Sequence, residues 1–286
     1  MGGRPVVVGG GHEVAWGSWQ GKENLVKQWL PKFINGEARL GIASTEPNSG
    51  SDVANISTTA VKNGESYVLK GEKGPISTVE TADGWIVLAR TGPPDSGAKG
   101  ISRFFVERDL KGIEKYTIGG MDETEPLGGI ILNNVEVPSD HLLGEENKGF
   151  YSQMGVFSIE RALLSMPHLG TAMDSLELSV EYAQNRVVWG KPIASFEGVM
   201  FPLVEAITKI ESVRAFAYQV LRMADDGKSI AKEASMLRWY IPRLVLEALD
   251  TCIQVHGASG YADVFPHQRR YKTVRGALIG HTFSRR

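Results

Sequence analysis

A short polar segment near the start of the chain has the composition of a ligand-binding loop. Residues 45–52 read TEPNSGSD, so they combine a tight turn with hydroxyl side chains and backbone N–H groups. Such a loop can donate hydrogen bonds to a phosphate or to the polar edge of a ring without adding bulk. An ordinary polar surface turn is the alternative interpretation of the same residues.

Two other places in the sequence could contact an anionic ligand. Arg186 carries a permanent charge and five hydrogen-bond donors, which suit a pyrophosphate, although an arginine at a helix end is often only solvated. Gly257, Ala258 and Gly260 are small, so the backbone at these positions can approach a ligand closely. We therefore treat both places as candidates for ligand contact.

The overall composition is that of an ordinary globular protein. Of 286 residues, 42% are hydrophobic and 22% charged, and a net charge of −2 gives no electrostatic reason to expect nucleic acid as a partner. No apolar run of about 20 residues is present, so no membrane insertion is expected. The single cysteine, Cys252, cannot form an internal disulfide, which favours a reducing compartment, and we predict a cytoplasmic protein.

The polar loop lies between a predicted helix and a β-rich region. An amphipathic helix is predicted over residues 20–33, with Leu25, Trp29 and Leu30 on one face. Short segments rich in β-branched and aromatic residues then alternate with turn signals, which is typical of an antiparallel barrel or sandwich. Strands are predicted over residues 40–44, 66–69, 85–89, 101–106 and 130–137.

The periodicity becomes helical from residue 149. Pro167 is expected to kink or loosen the first of these helices, and residues 203–210 show the three–four spacing of a bundle face. Helices are predicted over residues 159–186, 196–225, 230–255 and 267–279. The predicted class is α+β, with a helical remnant (1–38), a β-domain (39–148) and a four-helix-bundle-like domain (149–286).

Five segments, in their order along the chain, resemble motifs of the acyl-CoA dehydrogenase family. They are WLPK…GE (29–37), TEPNSGSD (45–52), GEK…IS (71–77), NR…WGKP (185–192) and QVHGASGY (254–261). Five motifs in the family's order are far more specific than any one of them. The resemblance implies FAD as the cofactor and an acyl-CoA thioester as the substrate.

The resemblance also assigns roles around the flavin. Thr45 is implied to hydrogen-bond the flavin ring, Ser51 to lie near the pyrophosphate, and Ser77 to lie at the N5 side of the ring. Trp189 stands where an aromatic side chain packs near the nucleotide in the family.

Other residues are implied to reach the cofactor of a neighbouring subunit. Arg186 would contact that subunit's FAD, and Gln254, Gly257 and Ala258 would approach its adenosine side. Shared cofactor sites of this kind predict an oligomer, either a homotetramer or a hetero-oligomer. Nothing in the sequence predicts a metal site.

The implied reaction is α,β-dehydrogenation of the acyl-CoA to the enoyl-CoA, with electrons passed to an electron-transferring flavoprotein. In many members the catalytic base is a glutamate near the C-terminus, a place taken here by His281. Others carry it in an E-R-[LA] pattern at the start of the first helix after the β-domain, which Glu160 and Arg161 match. We therefore expect Glu160 to be the base and Arg161 to hold it, or a neighbouring backbone group, in place.

Several alternatives to this assignment remain open in the sequence. Arg161 lowers the pKa of Glu160 and burial raises it, and the sequence does not say which effect is larger. Glu160 could instead serve only as a charge at a helix N-terminus, and His281 could be the base. Pro75 replaces an aromatic residue that covers the flavin face, which admits a bulkier acyl group or weakens cofactor binding. Phe283 replaces a threonine that contacts the nucleotide.

The family's usual first domain is helical, and only its last helix has a counterpart in residues 1–38. A truncated chain, a split enzyme with its other half on a second polypeptide, and a compact variant are the three explanations. The alternative functions are a non-catalytic or half-enzyme subunit of a hetero-oligomeric dehydrogenase, and an acyl-CoA oxidase that passes electrons to oxygen.

Overall fold

The structure, a computed structural model, describes residues 21–122 and 126–280. It divides into two compact units, the first ending at Phe157 and the second beginning at Ser158. The first contains a helix and a seven-stranded sheet and the second is helical, so the predicted α+β class is confirmed. The domain boundaries after residues 38 and 148 stay predictions, and His281 and Phe283 lie outside the described residues.

The first unit begins with a helix and continues as a sheet. Helix α1 spans Glu23–Ile34. The strands are β1 (Leu40–Ala43), β2 (Thr59–Asn63), β3 (Ser66–Ile76), β4 (Gly84–Arg90), β5 (Ile101–Glu107), β6 (Ile113–Gly119) and β7 (Leu127–Pro138). All five predicted strands are present, whereas β2 and β6 were missed. Strand β6 is an edge strand with few buried side chains, so it lacks the alternating apolar pattern that reveals a strand.

The strand order is β1-β4-β2-β3-β7-β6, with β5 on the other side of β4. Most neighbours are antiparallel, but β1 runs parallel to β4, with Leu40 opposite Gly84. The predicted antiparallel arrangement therefore holds for most neighbouring strands, but β1 and, at one residue pair, β2 run parallel to β4. The β2–β3 hairpin lies between β1 and β4 in the chain. It brings the chain back to the end of the sheet at which β1 starts, so β4 can begin there and run parallel to β1.

Strand β4 is buried on both faces. Helix α1 packs on one face, where Trp29 and Phe33 contact a cluster that includes Ile86 and Phe105. Alternate residues of β4, beginning with Trp85, belong to the main core of the sheet on the other face. This two-sided burial explains why β4 reads as a continuous apolar run.

The second unit is built from three long helices and shorter segments. Its elements include the end of α2 (Gly149–Leu163), α3 (Ser165–Asn185), α4 (Glu197–Asp225), α5 (Ala231–His256), α6 (Ala258–Tyr261) and α7 (His267–Ala277). The single helix predicted over residues 159–186 is two helices, α2 and α3. Pro167 lies in the first turn of α3, where its missing N–H costs little, and the Ser165 hydroxyl donates to the Arg161 carbonyl (2.7 Å) at the break.

Helix α5 is the centre of the second unit, because it contacts α3, α4 and α7. Its buried face includes Leu237, Ile241, Leu249 and the free cysteine Cys252. The same face carries Arg238, a charged residue that is only 4% exposed. Among the described helices, none is long and apolar enough to cross a lipid bilayer.

Candidate active site

The TEPNSGSD segment forms a compact loop immediately after β1. Glu46 and Ser49 exchange two backbone hydrogen bonds, of 2.9 and 3.0 Å, and the Ser49 hydroxyl donates to the Asp52 carbonyl. Thr45 is half-buried at the start of this loop, and Ser51 is exposed at its end. The loop therefore presents both predicted hydroxyls from a fixed turn.

A buried ion pair fixes the base of the loop. The Lys73 ammonium on β3 lies 2.8 Å from the Glu46 carboxylate, and both side chains are buried. The carboxylate also accepts from the Ser57 N–H and hydroxyl (2.6 Å each) and from the Thr58 N–H (2.9 Å). Gly71 allows this packing, because a Cβ there would lie 2.7 Å from the Thr58 Cα.

Ser77 belongs to a segment that contacts the loop. The Gly74 N–H donates to the Thr45 carbonyl (2.8 Å), so the end of β3 lies beside the start of the loop. Ser77 directly follows β3 and is exposed, as is Pro75. The structure thus brings the segments that carry Thr45 and Ser77 together.

Glu160 is buried in the last turn of helix α2 and is only 6% exposed. The interpretation of Glu160 as a charge at a helix N-terminus was wrong, because α2 begins at Gly149. Burial is the largest effect on the carboxyl group and raises its pKa to about 7, while the charges of Arg238 and Arg161 act in the opposite direction. Glu160 thus has the pKa of a general base that works near neutral pH.

Arg238 reaches this region from helix α5. One of its terminal nitrogens donates to the Gly280 carbonyl, while Nε and Nη1 have no hydrogen-bond partner among the described residues. His168, on α3, lies in the same electrostatic environment, and burial followed by the charge of Arg238 lowers its pKa to about 4. His168 is therefore neutral near pH 7, and the charges that lower the pKa of Glu160 include those of two arginines, Arg238 and Arg161.

Arg186 and Trp189 lie on one small hairpin. Val187–Val188 pairs with Lys191–Pro192, and the two-residue turn between them has positive φ at Trp189 (50°) and at Gly190 (79°). The turn leaves the indole of Trp189 88% exposed, and Arg186 is exposed at the base of the hairpin. The indole is therefore accessible to a partner or a ligand.

Gln254, Gly257 and Ala258 lie where helix α5 ends, and all three are exposed. Gly257 has a φ of 58°, and a Cβ there would meet nothing within 4 Å, so the backbone at this turn faces open space. Gly260 differs, because a Cβ there would lie 2.6 Å from the Ile253 carbonyl oxygen. The small residue at 260 is thus explained by packing against α5 rather than by a ligand.

Comparisons with known proteins agree with this arrangement. Residues 41–135 match the family model of the acyl-CoA dehydrogenase middle domain, and residues 147–281 match that of the C-terminal domain. An acyl-CoA dehydrogenase of Bacillus subtilis is 34% identical over 264 residues, which cover 91% of this chain and 69% of the relative. The chain belongs to the acyl-CoA dehydrogenase family.

Other relatives extend the range of chemistry within the family. The CarC subunit of the caffeyl-CoA reductase–Etf complex of Acetobacterium woodii is 32% identical over 260 residues, covering 89% of this chain and 68% of that subunit. The crystal structure of an acyl-CoA dehydrogenase from Geobacillus kaustophilus aligns with a TM-score of 0.86 at 34% identity, covering 91% of this chain and 69% of that one. Butyryl-CoA dehydrogenase of Megasphaera elsdenii aligns with a TM-score of 0.85 at 28% identity, covering 92% and 70%.

Members of this family are FAD-dependent oxidoreductases that act on CH–CH groups, and the residues of this chain fit the cofactor. The hydroxyls of Thr45, Ser51 and Ser77 make no hydrogen bond to other described residues, so they are available as donors. Ser44, next to Thr45, has a buried hydroxyl oxygen that lacks a partner in the described part of the chain. A set of uncommitted donors along one loop suits a flavin ring and its phosphates.

Two groups of residues were missed in the sequence. Ser57, Thr58 and Lys73 hold the loop through hydrogen bonds and an ion pair to Glu46. Lys73 lies inside the motif of residues 71–77, but no role was predicted for it. Arg238 acts on Glu160 from a distant helix. The position of Arg238 could have revealed its burial, because Arg238 falls on the same helical face as the buried residues Ala234 and Ile241.

A separate apolar cleft of about 600 Å³ lies between helices α4 and α5. Its lining includes Phe216, Met236, Trp239 and Tyr240, and none of the predicted site residues belongs to it. Trp239 and Tyr240 are each more than 40% exposed. The cleft is therefore a feature of the helical surface, distinct from the predicted cofactor residues.

Proposed function

We propose that this protein is an FAD-dependent acyl-CoA dehydrogenase in which Glu160 is the catalytic base. The observation that supports this function best is a buried carboxyl group whose pKa is raised to about 7, at the position that matches the family's E-R pattern. Outside a reactive site, a carboxyl group buried at such a cost is uncommon.

Glu160 would remove the α-proton of the acyl thioester. An α-proton is weakly acidic, so the base is most effective when its pKa lies close to the working pH. Burial supplies the basicity, and the positive charges of Arg161 and Arg238 keep a useful fraction of the carboxyl group ionised at neutral pH. Arg161 and Arg238 would then tune the base without contacting the proton.

The cofactor would be held by hydroxyl groups of the first unit. Thr45, Ser51 and Ser77 would donate to the flavin ring and the pyrophosphate through hydroxyls that make no hydrogen bond to other described residues. When bound, FAD would supply the acceptor for the hydride that leaves the β-carbon as the α-proton is lost. The open face at Pro75 would accommodate a bulky acyl group.

The remaining predicted residues would contact the FAD of a second copy of the chain. Arg186 and Trp189 on the exposed hairpin, and Gln254, Gly257 and Ala258 at the end of α5, are all accessible. This assignment makes the protein an oligomer, and the apolar cleft between α4 and α5 supplies a further surface for subunit contact. Light scattering on a size-exclusion column would test it, and a stable monomer would contradict it.

The same two hydrogen transfers can run in either direction. Several relatives, among them the acryloyl-CoA reductase (NADH) of Anaerotignum propionicum at 30% identity, are named as reductases. Enoyl-CoA reduction is therefore the second candidate function. We propose an electron-transferring flavoprotein as the redox partner, because one relative is a subunit of an Etf complex.

Reconstitution with FAD followed by anaerobic titration tests these functions. The protein should become yellow, and one of a panel of straight-chain, branched, cyclic and aryl acyl-CoAs should bleach the flavin absorbance. The reverse reaction is followed by mixing chemically reduced protein with an enoyl-CoA. If this reoxidation is faster than the bleaching of oxidised protein by the acyl-CoA, the reductase is favoured. A protein that binds FAD and responds to neither would be a non-catalytic subunit, and rapid reoxidation by oxygen would indicate an oxidase.

A further inference from the structure

The ion pair between Glu46 and Lys73 is among the most deeply buried polar features of the first unit. The side chain of Lys73 is 0% exposed and that of Glu46 is 2% exposed. Burial tends to raise the pKa of Glu46. The positive charge of Lys73, together with the hydrogen bonds that Glu46 accepts from Lys73, Ser57 and Thr58, outweighs burial and lowers this pKa to about 2. Burial lowers the pKa of Lys73 to about 8, against the raising effect of Glu46. Both groups are therefore charged near pH 7.

The pair joins three segments of the chain. Besides Glu46, the Lys73 ammonium donates to the Ser44 carbonyl (3.2 Å) at the end of β1. The Glu46 carboxylate accepts from Ser57 and Thr58, which lead into β2. One cluster of charge-assisted hydrogen bonds thus ties the loop at once to β3 and to the segment before β2.

Thr45 lies at the centre of this cluster without taking part through its side chain. Its two neighbours, Ser44 and Glu46, are both held by Lys73, and its own carbonyl accepts from the Gly74 N–H (2.8 Å). The backbone on both sides of Thr45 is therefore fixed, and the hydroxyl is left available. Lys73 also lies four residues before Ser77 on the same strand end.

A buried ion pair is weak evidence for stability. Removing two charges from water costs about as much as their attraction returns, so a well-packed apolar pair of similar size is often equally stable. A buried pair does restrict the arrangements that its segments can adopt, because any other arrangement leaves a buried charge without a partner. The arrangement restricted here is that of the Thr45 and Ser77 segments.

We propose that Glu46 and Lys73 are positioning residues for the flavin, which hold the Thr45 and Ser77 hydroxyls at the spacing that the flavin ring requires. The proposal rests on the proposed function, in which these two hydroxyls contact the ring. It adds that the affinity and orientation of the flavin depend on a charged pair that does not itself touch the cofactor.

The test separates folding from positioning by neutralising the pair in two steps. In Glu46→Gln or Lys73→Met alone, the remaining charge is buried without its partner, so both folding and FAD binding should be weakened. The double variant Glu46→Gln/Lys73→Met has no unpaired charge, so the thermal stability of its apoprotein should recover. Its Kd for FAD should nevertheless rise about tenfold, and the visible circular dichroism of the bound flavin should change.

The control is Tyr67→Phe, which removes a partly buried hydrogen bond made by strand β3 of the same sheet, from the Tyr67 hydroxyl to Glu146 (3.1 Å). It should lower thermal stability and leave both flavin readouts unchanged. If the double variant does not fold, Ser57→Ala is the substitute. It keeps both charges and removes only the hydrogen bond from the Ser57 hydroxyl to the Glu46 carboxylate, and the Kd for FAD should rise about threefold.

Three results would overturn the proposal. A folded double variant with the wild-type Kd and circular dichroism would show that the pair does not position the flavin. Unchanged readouts in Ser57→Ala would do the same where the double variant is unfolded. Failure of the wild-type protein to bind FAD would refute the proposed function and this proposal with it.

Discussion

Replacing Glu160 by glutamine should stabilise the apoprotein, and the gain should grow with pH. Glutamine has nearly the shape of the protonated carboxyl group but cannot ionise. Because the folded-state pKa of Glu160 lies above its unfolded value, the folded protein keeps a proton that the unfolded chain releases. The stability from this proton is complete below pH 4.5 and is lost as the pH rises through about 7.

The structure sets the size of the effect. The pKa of Glu160 rises from 4.5 to about 7, and each unit corresponds to about 1.4 kcal/mol, so ionising the folded protein costs about 3 kcal/mol in total. Part of this cost is already present at pH 5. Between pH 5 and pH 8, the free energy of unfolding of the variant should gain about 2 to 3 kcal/mol relative to the wild type.

Urea unfolding of both apoproteins at pH 5, 6, 7 and 8 measures this difference. Glu177→Gln, which makes the same substitution at an exposed position on α3, is the matched control. A difference between Glu160→Gln and the wild type that stays constant over this range would refute the raised pKa, and with it the basis for choosing Glu160 as the base.

Two further predictions concern the second unit. His267 is fully buried, and burial first, then the charges of His256 and Arg270, lowers its pKa to about 4. The contribution of His267 to stability should therefore be lost as the pH drops from 6.5 towards 4. The unfolding temperature of His267→Phe relative to that of the wild type should rise between pH 7.5 and pH 5, and an unchanged difference would contradict this prediction. Arg186→Met should leave the unfolding temperature unchanged, because Arg186 is exposed, but it should raise the Kd for FAD by about tenfold. Arg269→Met, at another exposed position, is the control and should leave that Kd unchanged. Equal Kd values in the two variants would contradict the role of Arg186.

The elements with strong local patterns were predictable from the sequence. Helices α4, α5 and α7 begin within about one residue of their predicted starts, because long periodic segments and turn residues specify them. Strands whose apolar residues face the core were also found. The motifs implied that Thr45 and Ser77 serve one cofactor, which stays a prediction, while the structure shows a backbone hydrogen bond between Gly74 and Thr45.

Features that depend on distant contacts were not predictable. The parallel pairing of β1 with β4 is set by how the chain returns after the β2–β3 hairpin, which local periodicity does not record. The pKa of Glu160 depends on its burial and on Arg238, which lies on another helix. The sequence showed only Arg161, so it could not decide between a raised and a lowered pKa.

The central claim is that Glu160 removes the α-proton while FAD takes the hydride. The most direct test is the rate of anaerobic flavin bleaching after mixing with the acyl-CoA that reacts fastest, in the wild type, Glu160→Gln and Glu177→Gln. We predict that all three bind FAD, that the wild type and Glu177→Gln bleach alike, and that Glu160→Gln bleaches at least about a hundredfold more slowly. Bleaching of Glu160→Gln at the wild-type rate would contradict the account.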